Sequence, residues 1–202
     1  MGALIELVDV WKTYHLGKTS LDALKNISLK INKGDFLAIM GPSGSGKSTA
    51  MNVIGCLDMP TRGKVFLEGH DVSKLSENEL ARIRGKKIGF VFQLFNLLPT
   101  LTSLENIMLP MIFQDIPREE REKKAHELLE IIGLRERANH RPNELSGGEQ
   151  QRIAIARSLA NSPSIILADE PTGNLDSRTG QTIMDMLVNL HKKQNKTIVV
   201  VT

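Results

Sequence analysis

The sequence contains a single cysteine, Cys56, in 202 residues. One thiol cannot close an intramolecular disulfide, so the fold must hold by packing, as in chains kept in a reducing compartment. Long hydrophobic runs are missing too. Phe36 to Met40 and Ile198 to Val201 are strand-length, and the run from Asn106 to Phe113 is broken by Pro110, whereas a bilayer-spanning helix needs about 20 apolar residues in succession. No membrane-spanning helix is expected. The opening residues carry Glu6 and Asp9 where a secretion signal would be basic, and Glu6 spoils the Met-Gly myristoylation pattern. A chain neither exported nor lipidated is expected. Net charge is also slight: 26 Lys and Arg against 23 Asp and Glu give +3. That surplus is too mild to argue for a nucleic-acid partner through phosphate neutralisation, and charge alone leaves the partner open. Internal repeats and low-complexity tracts are absent, which gives solenoid and disordered classes little support.

What is present is an ordinary globular balance, 41% hydrophobic and 24% charged, in a chain long enough to bury a sizeable core as one domain over 1–202. Leu4 to Val10, Ile27 to Ile31 and Lys64 to Leu67 alternate apolar with polar side chains, and Asn32 to Asp35 reads as a turn. This predicts a small antiparallel N-terminal sheet. Phe36 to Met40, Ile88 to Phe92, Ser164 to Ala168 and Thr197 to Val201 are instead nearly continuous apolar runs, the pattern of parallel strands covered on both faces. Between the second and third of these runs, Pro117 opens a helix on which Ala125, Leu128, Leu129 and Ile132 recur at helical spacing, and Gly133 ends it. The expected class is α/β, with residues 1–93 and 146–202 as core plus N-terminal β subdomain and 94–145 as a helical insertion. Arg82, Arg84, Lys86 and Lys87 read as a solvated face rather than a phosphate or lipid contact. Cys56 reads as a small packing residue, with no basic neighbour in sequence to activate it.

Chemistry concentrates in three places. Gly41-Pro42-Ser43-Gly44-Ser45-Gly46-Lys47-Ser48 fits the phosphate-loop pattern and sits between an apolar strand and a plausible helix through Ile54. Glycines let backbone N–H groups approach phosphates, the helix presents its positive end, Lys47 reaches the β- and γ-phosphates, and the Ser48 hydroxyl holds Mg²⁺. Thr49 continues the same cradle. In Ile165-Ile166-Leu167-Ala168-Asp169-Glu170 a buried strand ends in two carboxylates, at the sheet edge where α/β ligands bind. An Asp-Glu pair alone is as well read as a solvated turn. Beside a phosphate loop it forms the Walker B arrangement, with Asp169 supporting Mg²⁺ and Glu170 orienting or deprotonating the attacking water. The third place is Leu145-Ser146-Gly147-Gly148-Glu149-Gln150-Gln151-Arg152. A Ser-Gly-Gly turn opening a helix makes a second anion-binding helix start, with no strand before it to complete a nucleotide site. A simple N-cap would account for the Ser but not for the whole octapeptide.

From about Ile5 to Thr202 the sequence resembles the ABC ATPase family, whose signature is LSGGQ or LSGGE followed by Q-x-R. The resemblance implies a phosphate-loop NTPase core with an N-terminal antiparallel β subdomain and a helical insertion. It implies a head-to-tail pair of cassettes in which Ser146, Gly147 and Gly148 contact the γ-phosphate on the partner's phosphate loop. Tyr14, in Val10-Trp11-Lys12-Thr13-Tyr14, matches the aromatic that stacks on adenine, although packing on the sheet would also explain it. Gln93 matches the glutamine that senses Mg²⁺ and the attacking water, so Glu170, Gln93 and Lys47 become the catalytic set. Asn174-Leu175-Asp176 matches the loop that crosses the dimer interface, where Ser-Ala-Leu-Asp is commoner; Asp176 is carried over from that match. Gly55-Cys56-Leu57-Asp58, Pro60-Thr61 with Gly63, and Pro171-Thr172-Gly173 resemble the branch of macrolide exporters, lipoprotein-release complexes and antimicrobial-peptide resistance transporters.

The cofactors implied are ATP and Mg²⁺. The partners implied are a second cassette and an integral membrane permease, with no nucleic acid, on the cytoplasmic face of the cell (inner) membrane. One rival reading is a nucleotide-gated regulatory or signalling module on a transporter-like protein that moves no substrate. DNA-repair and chromosome-organising ATPases share the signature, yet their long coiled coil has no counterpart here. In the family the strand matching Thr197 to Thr202 is followed by a switch histidine. None of His15, His70, His126, His140 and His191 matches it by position. A cassette C-terminally truncated relative to the family is therefore expected, with phosphate binding less affected than turnover.

Overall fold

The two hydrophobic patterns fold into two sheets in the computed structural model, which describes residues 2–17 and 19–202. In chain order the elements are β1 (Ile5–Leu16), β2 (Thr19–Ile31), β3 (Phe36–Ile39), α1 (Lys47–Ile54), β4 (Arg62–Leu67), β5 (His70–Asp71) and α2 (Glu77–Lys87). They continue as β6 (Ile88–Val91), α3 (Ser103–Ile112), α4 (Arg118–Ile131), α5 (Gly147–Leu159), β7 (Ile165–Asp169), α6 (Ser177–Gln194) and β8 (Thr197–Val201).

The first sheet is antiparallel, in the order β2-β1-β4-β5. Its register sets Ile5 opposite Ile31 and Leu67, and Leu7 opposite Leu29 and Val65. Ile5, Leu7, Ile31, Val65 and Leu67 are buried, while Glu6 and Lys30 pair outside them. β1 and β2 run further than alternation predicts, to Leu16 and from Thr19. Register shifts after Leu7 and left-handed backbone at Asp9 and Asn26 interrupt the period, so the outer ribbon has no readable apolar face.

The second sheet is parallel throughout, in the order β3-β8-β7-β6. β8 is buried along its whole length, and Ile165 to Ala168 of β7 likewise, as their unbroken apolar runs predict. β3 departs from that expectation: its residues are half-buried or exposed.

Alternate residues of the central strands face two cores. Ile165, Leu167 and Val199 join α1 and the antiparallel sheet through Met51, Ile54, Ile5 and Leu7. Ile166, Ala168 and Val200 join Ile107, Leu129, Ile153 and Leu187 from the helices on the other side. Each such Ile, Leu, Val or Met side chain stabilises the fold by about 1.5–3 kcal/mol through burial.

Pro117 precedes α4 as its N-cap, with extended ψ, instead of occupying the first helical position. Gly133, at φ 68°, follows its end as expected. α3 was obscured in sequence by Pro110, which lies in its last turn. The helix forms because Thr102 and Glu105 close a capping box at its start, and buried Asn106 binds the loop before it, accepting from the Leu98 N–H and donating to the Leu98 and Leu101 carbonyls.

Candidate functional site

β3 delivers the chain into the glycine loop at one end of the parallel sheet, and α1 leaves it at Lys47. Gly46 has φ 92°, and a methyl group there would lie 2.4 Å from the Ala23 carbonyl oxygen, so glycine is required. Lys47 Nζ donates to the carbonyls of Gly41 (2.7 Å) and Pro42 (3.2 Å), folding its charge over the loop. No side chain caps α1. The amides of its first turn therefore remain available to an anion, reinforced by the helix dipole.

β7 brings Asp169 and Glu170 to the same end of the sheet. Burial, with the Glu170 charge beside it, raises the Asp169 carboxyl above its ordinary range, against the opposing pull of the Ser48 hydroxyl and the Lys47 ammonium. Asp169 Oδ1 is buried without a hydrogen-bond partner. An orphaned carboxylate oxygen next to a hydroxyl offers the hard oxygen donors that Mg²⁺ takes, with phosphate and water supplying the rest. Among the described residues no group of three His, Cys, Asp or Glu could hold a metal without such help. Glu170 sits in left-handed backbone at φ 41°, its N–H donating to Val201 (2.9 Å).

Gln93 follows β6 and lies against the segment after Glu170. Its carbonyl accepts from Asn174 Nδ2 at 2.9 Å, and a methyl group at Gly173 would lie 2.8 Å from its Nε2. Tyr14 stands half-buried on β1, where the Thr49 hydroxyl of α1 faces it. Its hydroxyl donates to Asp58 Oδ2 (2.9 Å). Lys12 Nζ donates to Asp58 Oδ1 (2.5 Å) and the Met59 carbonyl (2.8 Å), and lies 5.0 Å from the Tyr14 ring centroid. Burial and then the Asp58 carboxylate raise the Tyr14 phenol.

The remaining residues singled out in sequence collect elsewhere. Ser146 caps α5 in a capping box: its N–H and hydroxyl both donate to Glu149 Oε2 (2.8 Å each), and its Oγ accepts from the Glu149 N–H (3.3 Å). Asp176 caps α6, accepting from the N–H groups of Arg178 and Thr179 at 3.0 Å each. Ser146, Gly147, Gly148, Asn174, Asp176 and Thr179 line one cavity of about 410 Å³, and no phosphate-loop residue lines it. Two larger clefts, about 590 and 720 Å³, lie by α2 and the α3–α4 connection, away from both clusters.

The structure thus brings together Lys47, Ser48, Asp169 and Glu170, sets Gln93 against the Gly173–Asn174 segment, and places the signature around a separate cavity. Lys12, Gln151 and Arg157 were missed. They contact backbone carbonyls, and no spacing rule announces which side chain will meet a carbonyl from another element.

Residues 24–173 match the ABC transporter family. An uncharacterized ABC transporter ATP-binding protein of Thermotoga maritima is 56% identical over 202 residues, covering 100% of this chain and 86% of its own length. The macrolide export ATP-binding/permease protein of Brucella abortus is 52% identical over 199 residues, which are 98% of this chain and 31% of that protein. An ATP-binding cassette of Methanocaldococcus jannaschii, solved as a dimer in a post-hydrolysis state bound to ADP and Pi, superposes with a TM-score of 0.89 at 54% identity. That superposition covers 98% of this chain and 87% of the other.

Proposed function

The chain belongs to the ABC transporter family of ATP-binding subunits, and from that premise we propose how its residues divide the work of ATP hydrolysis. Gly41 to Thr49 cradle the triphosphate, and Tyr14 stacks on the adenine. Ser48 and Asp169 would hold Mg²⁺, with Gln93 the third residue directed to that ion. When bound, that ion neutralises charge on the phosphates. Lys47 and the first-turn amides of α1 stabilise the transferring phosphoryl group, and Glu170 orients water for attack.

One observation carries the reading: the chain holds two anion-binding helix starts that do not meet. The cavity of Ser146, Gly147, Gly148 and Asp176 contains nothing from the phosphate loop. A second copy, facing head to tail, brings each signature onto the other's phosphate loop and completes two sites. The Methanocaldococcus jannaschii cassette, solved as a dimer bound to ADP and Pi, supports a two-cassette assembly.

Residues 94–145 form the helical subdomain, and the permease docks beside it. Exposed Leu57 and Phe113 flank the larger cleft, lined also by Arg82 and Arg84. Among the described residues no helix is long and apolar enough to cross a membrane. On this reading the chain sits on the cytoplasmic membrane face, held there by the permease. The macrolide-export relative, which joins such a cassette to a permease in one chain, supports an export-type system. The test is Glu170→Gln: ATP binding is retained, hydrolysis falls by about 100-fold or more, and an ATP-bound dimer accumulates in light scattering. Hydrolysis at the parent rate would overturn the role given to Glu170.

A further inference from the structure

Every carbonyl from Phe92 to Asn96, the segment carrying Gln93, accepts a hydrogen bond. Gln151 Nε2 reaches Phe92 at 3.5 Å, Asn174 Nδ2 reaches Gln93 at 2.9 Å, and the Asn96 N–H turns back to Leu94. The Arg157 guanidinium donates to both Phe95 (2.8 Å) and Asn96. Phe95 and Asn96 are left-handed, at φ 41° and 50°, a conformation that asparagine adopts readily but that is uncommon for a bulky residue such as Phe95.

The donors come from two places. Gln151 and Arg157 lie on α5, the helix that begins at the signature, while Asn174 lies in the loop leading to Asp176. Arg157 forms no ion pair among the described residues. Its burial pulls the guanidinium below the usual arginine range, and its charge is directed at the two carbonyls. Gln151 is fully buried, and its Nε2 also donates to the Pro171 carbonyl, next to Glu170, at 2.7 Å. The signature backbone touches the same segment: a methyl group at Gly147 would lie 3.3 Å from Leu175 and 3.6 Å from the Phe95 ring.

We propose that Arg157, Gln151 and Asn174 form a carbonyl clamp that sets the position of Gln93 and ties it to both segments engaged across the cassette dimer. All three are positioning residues: each acts through the backbone that aims Gln93. A shift at the start of α5, where the partner's ATP is engaged, is thereby felt at Gln93 of the chain's own site. This rests on the ATPase reading above.

The experiment compares Asn174→Ala, Arg157→Met and Arg157→Lys in the 202-residue chain, following kcat, KM, ATP affinity and hydrogen exchange of the amides at 92–97. Asn174 is exposed, so its truncation leaves the fold intact even if Arg157→Met does not fold. The clamp predicts faster exchange confined to 92–97 and kcat lower by about 10- to 100-fold with ATP affinity within about twofold, because misplacement by even 1 Å is costly. Arg157→Lys falls between parent and Met, since one ammonium lacks the fork that serves both carbonyls. Unchanged exchange in Asn174→Ala and Arg157→Lys, or faster exchange at full kcat, overturns the clamp. Should the parent bind no MgATP, the ATPase reading fails; in that case, or if it binds without turnover as a truncated cassette would, exchange alone decides: faster at 92–97 sustains the clamp, unchanged refutes it.

Discussion

Asp58 holds the rim around Tyr14 with two bonds at once. Its carboxylate receives Lys12 Nζ on one oxygen and the Tyr14 hydroxyl on the other. Burial pushes its pKa up, but the Lys12 and Tyr14 hydrogen bonds outweigh that and hold it below the ordinary range. A depressed carboxylate contributes stability above its unfolded pKa and loses it as pH falls through the folded one. Asp58→Asn should therefore cost about 1.5 kcal/mol at neutral pH, with the difference from the parent closing below the ordinary aspartate range. Urea unfolding of both chains at pH 7 and in acid checks this; a pH-independent gap would place the effect in packing. The same scale revises two sequence expectations. Arg84, read as solvated, donates to the Cys56 carbonyl at 2.9 Å, so the thiol does have a basic neighbour. Burial nevertheless raises that thiol to about 11, the Arg84 charge opposing it only in part, which leaves Cys56 a packing residue. Lys87 pairs with Glu68 at 3.0 Å, while Arg82 and Lys86 are exposed as expected.

The signature helix shows how one element serves stability and chemistry through the same atoms. Ser146 both caps α5 and lines the cavity offered to a partner. Ser146→Ala should lose about 1 kcal/mol with the cap. Ser146→Asn keeps a good cap and adds bulk in the cavity, so it should restore the stability without restoring hydrolysis. Thermal melts beside ATPase rates separate the two roles; recovery of both by Asn would reduce Ser146 to a cap. Elements of this kind were legible because their signals are local. The phosphate loop, α4 and the buried strands β7 and β8 follow from glycine placement and hydrophobic period. α3 was hidden because Pro110 is tolerated in its last turn, where capping and Asn106 compensate. The outer halves of β1 and β2 were hidden because bulges break the period. The contacts of Arg157 and Asn174 were illegible in principle, since a carbonyl acceptor leaves no trace in side-chain sequence.

At the scale of the molecule, two cores share one parallel sheet, and the two anion sites sit on opposite partners of that framework. The phosphate loop belongs to the sheet and α1, while the signature belongs to the helical side, where α3, α4 and α5 pack together. Within one chain the Ser146 cavity holds no phosphate-loop residue, so the two anion sites stand apart. A head-to-tail dimer makes a quantitative demand that no self-contained site makes. Lys47→Ala removes the phosphate-loop cation but leaves the signature, and Ser146→Arg blocks the exposed signature but leaves the phosphate loop. Each homodimer then has every site damaged and should be inactive. Mixed in equal amounts, half of the dimers are hybrids, and each hybrid has one intact site formed from the good loop of one chain and the good signature of the other. Hydrolysis should therefore reappear at up to about a quarter of the parent rate, the share of intact sites under random head-to-tail pairing. It should also rise with total protein concentration, since the intact site exists only in the complex. A mixture as inactive as its components, with each variant still folded and Ser146→Arg still binding ATP, would mean that phosphate loop and signature do not meet across two chains.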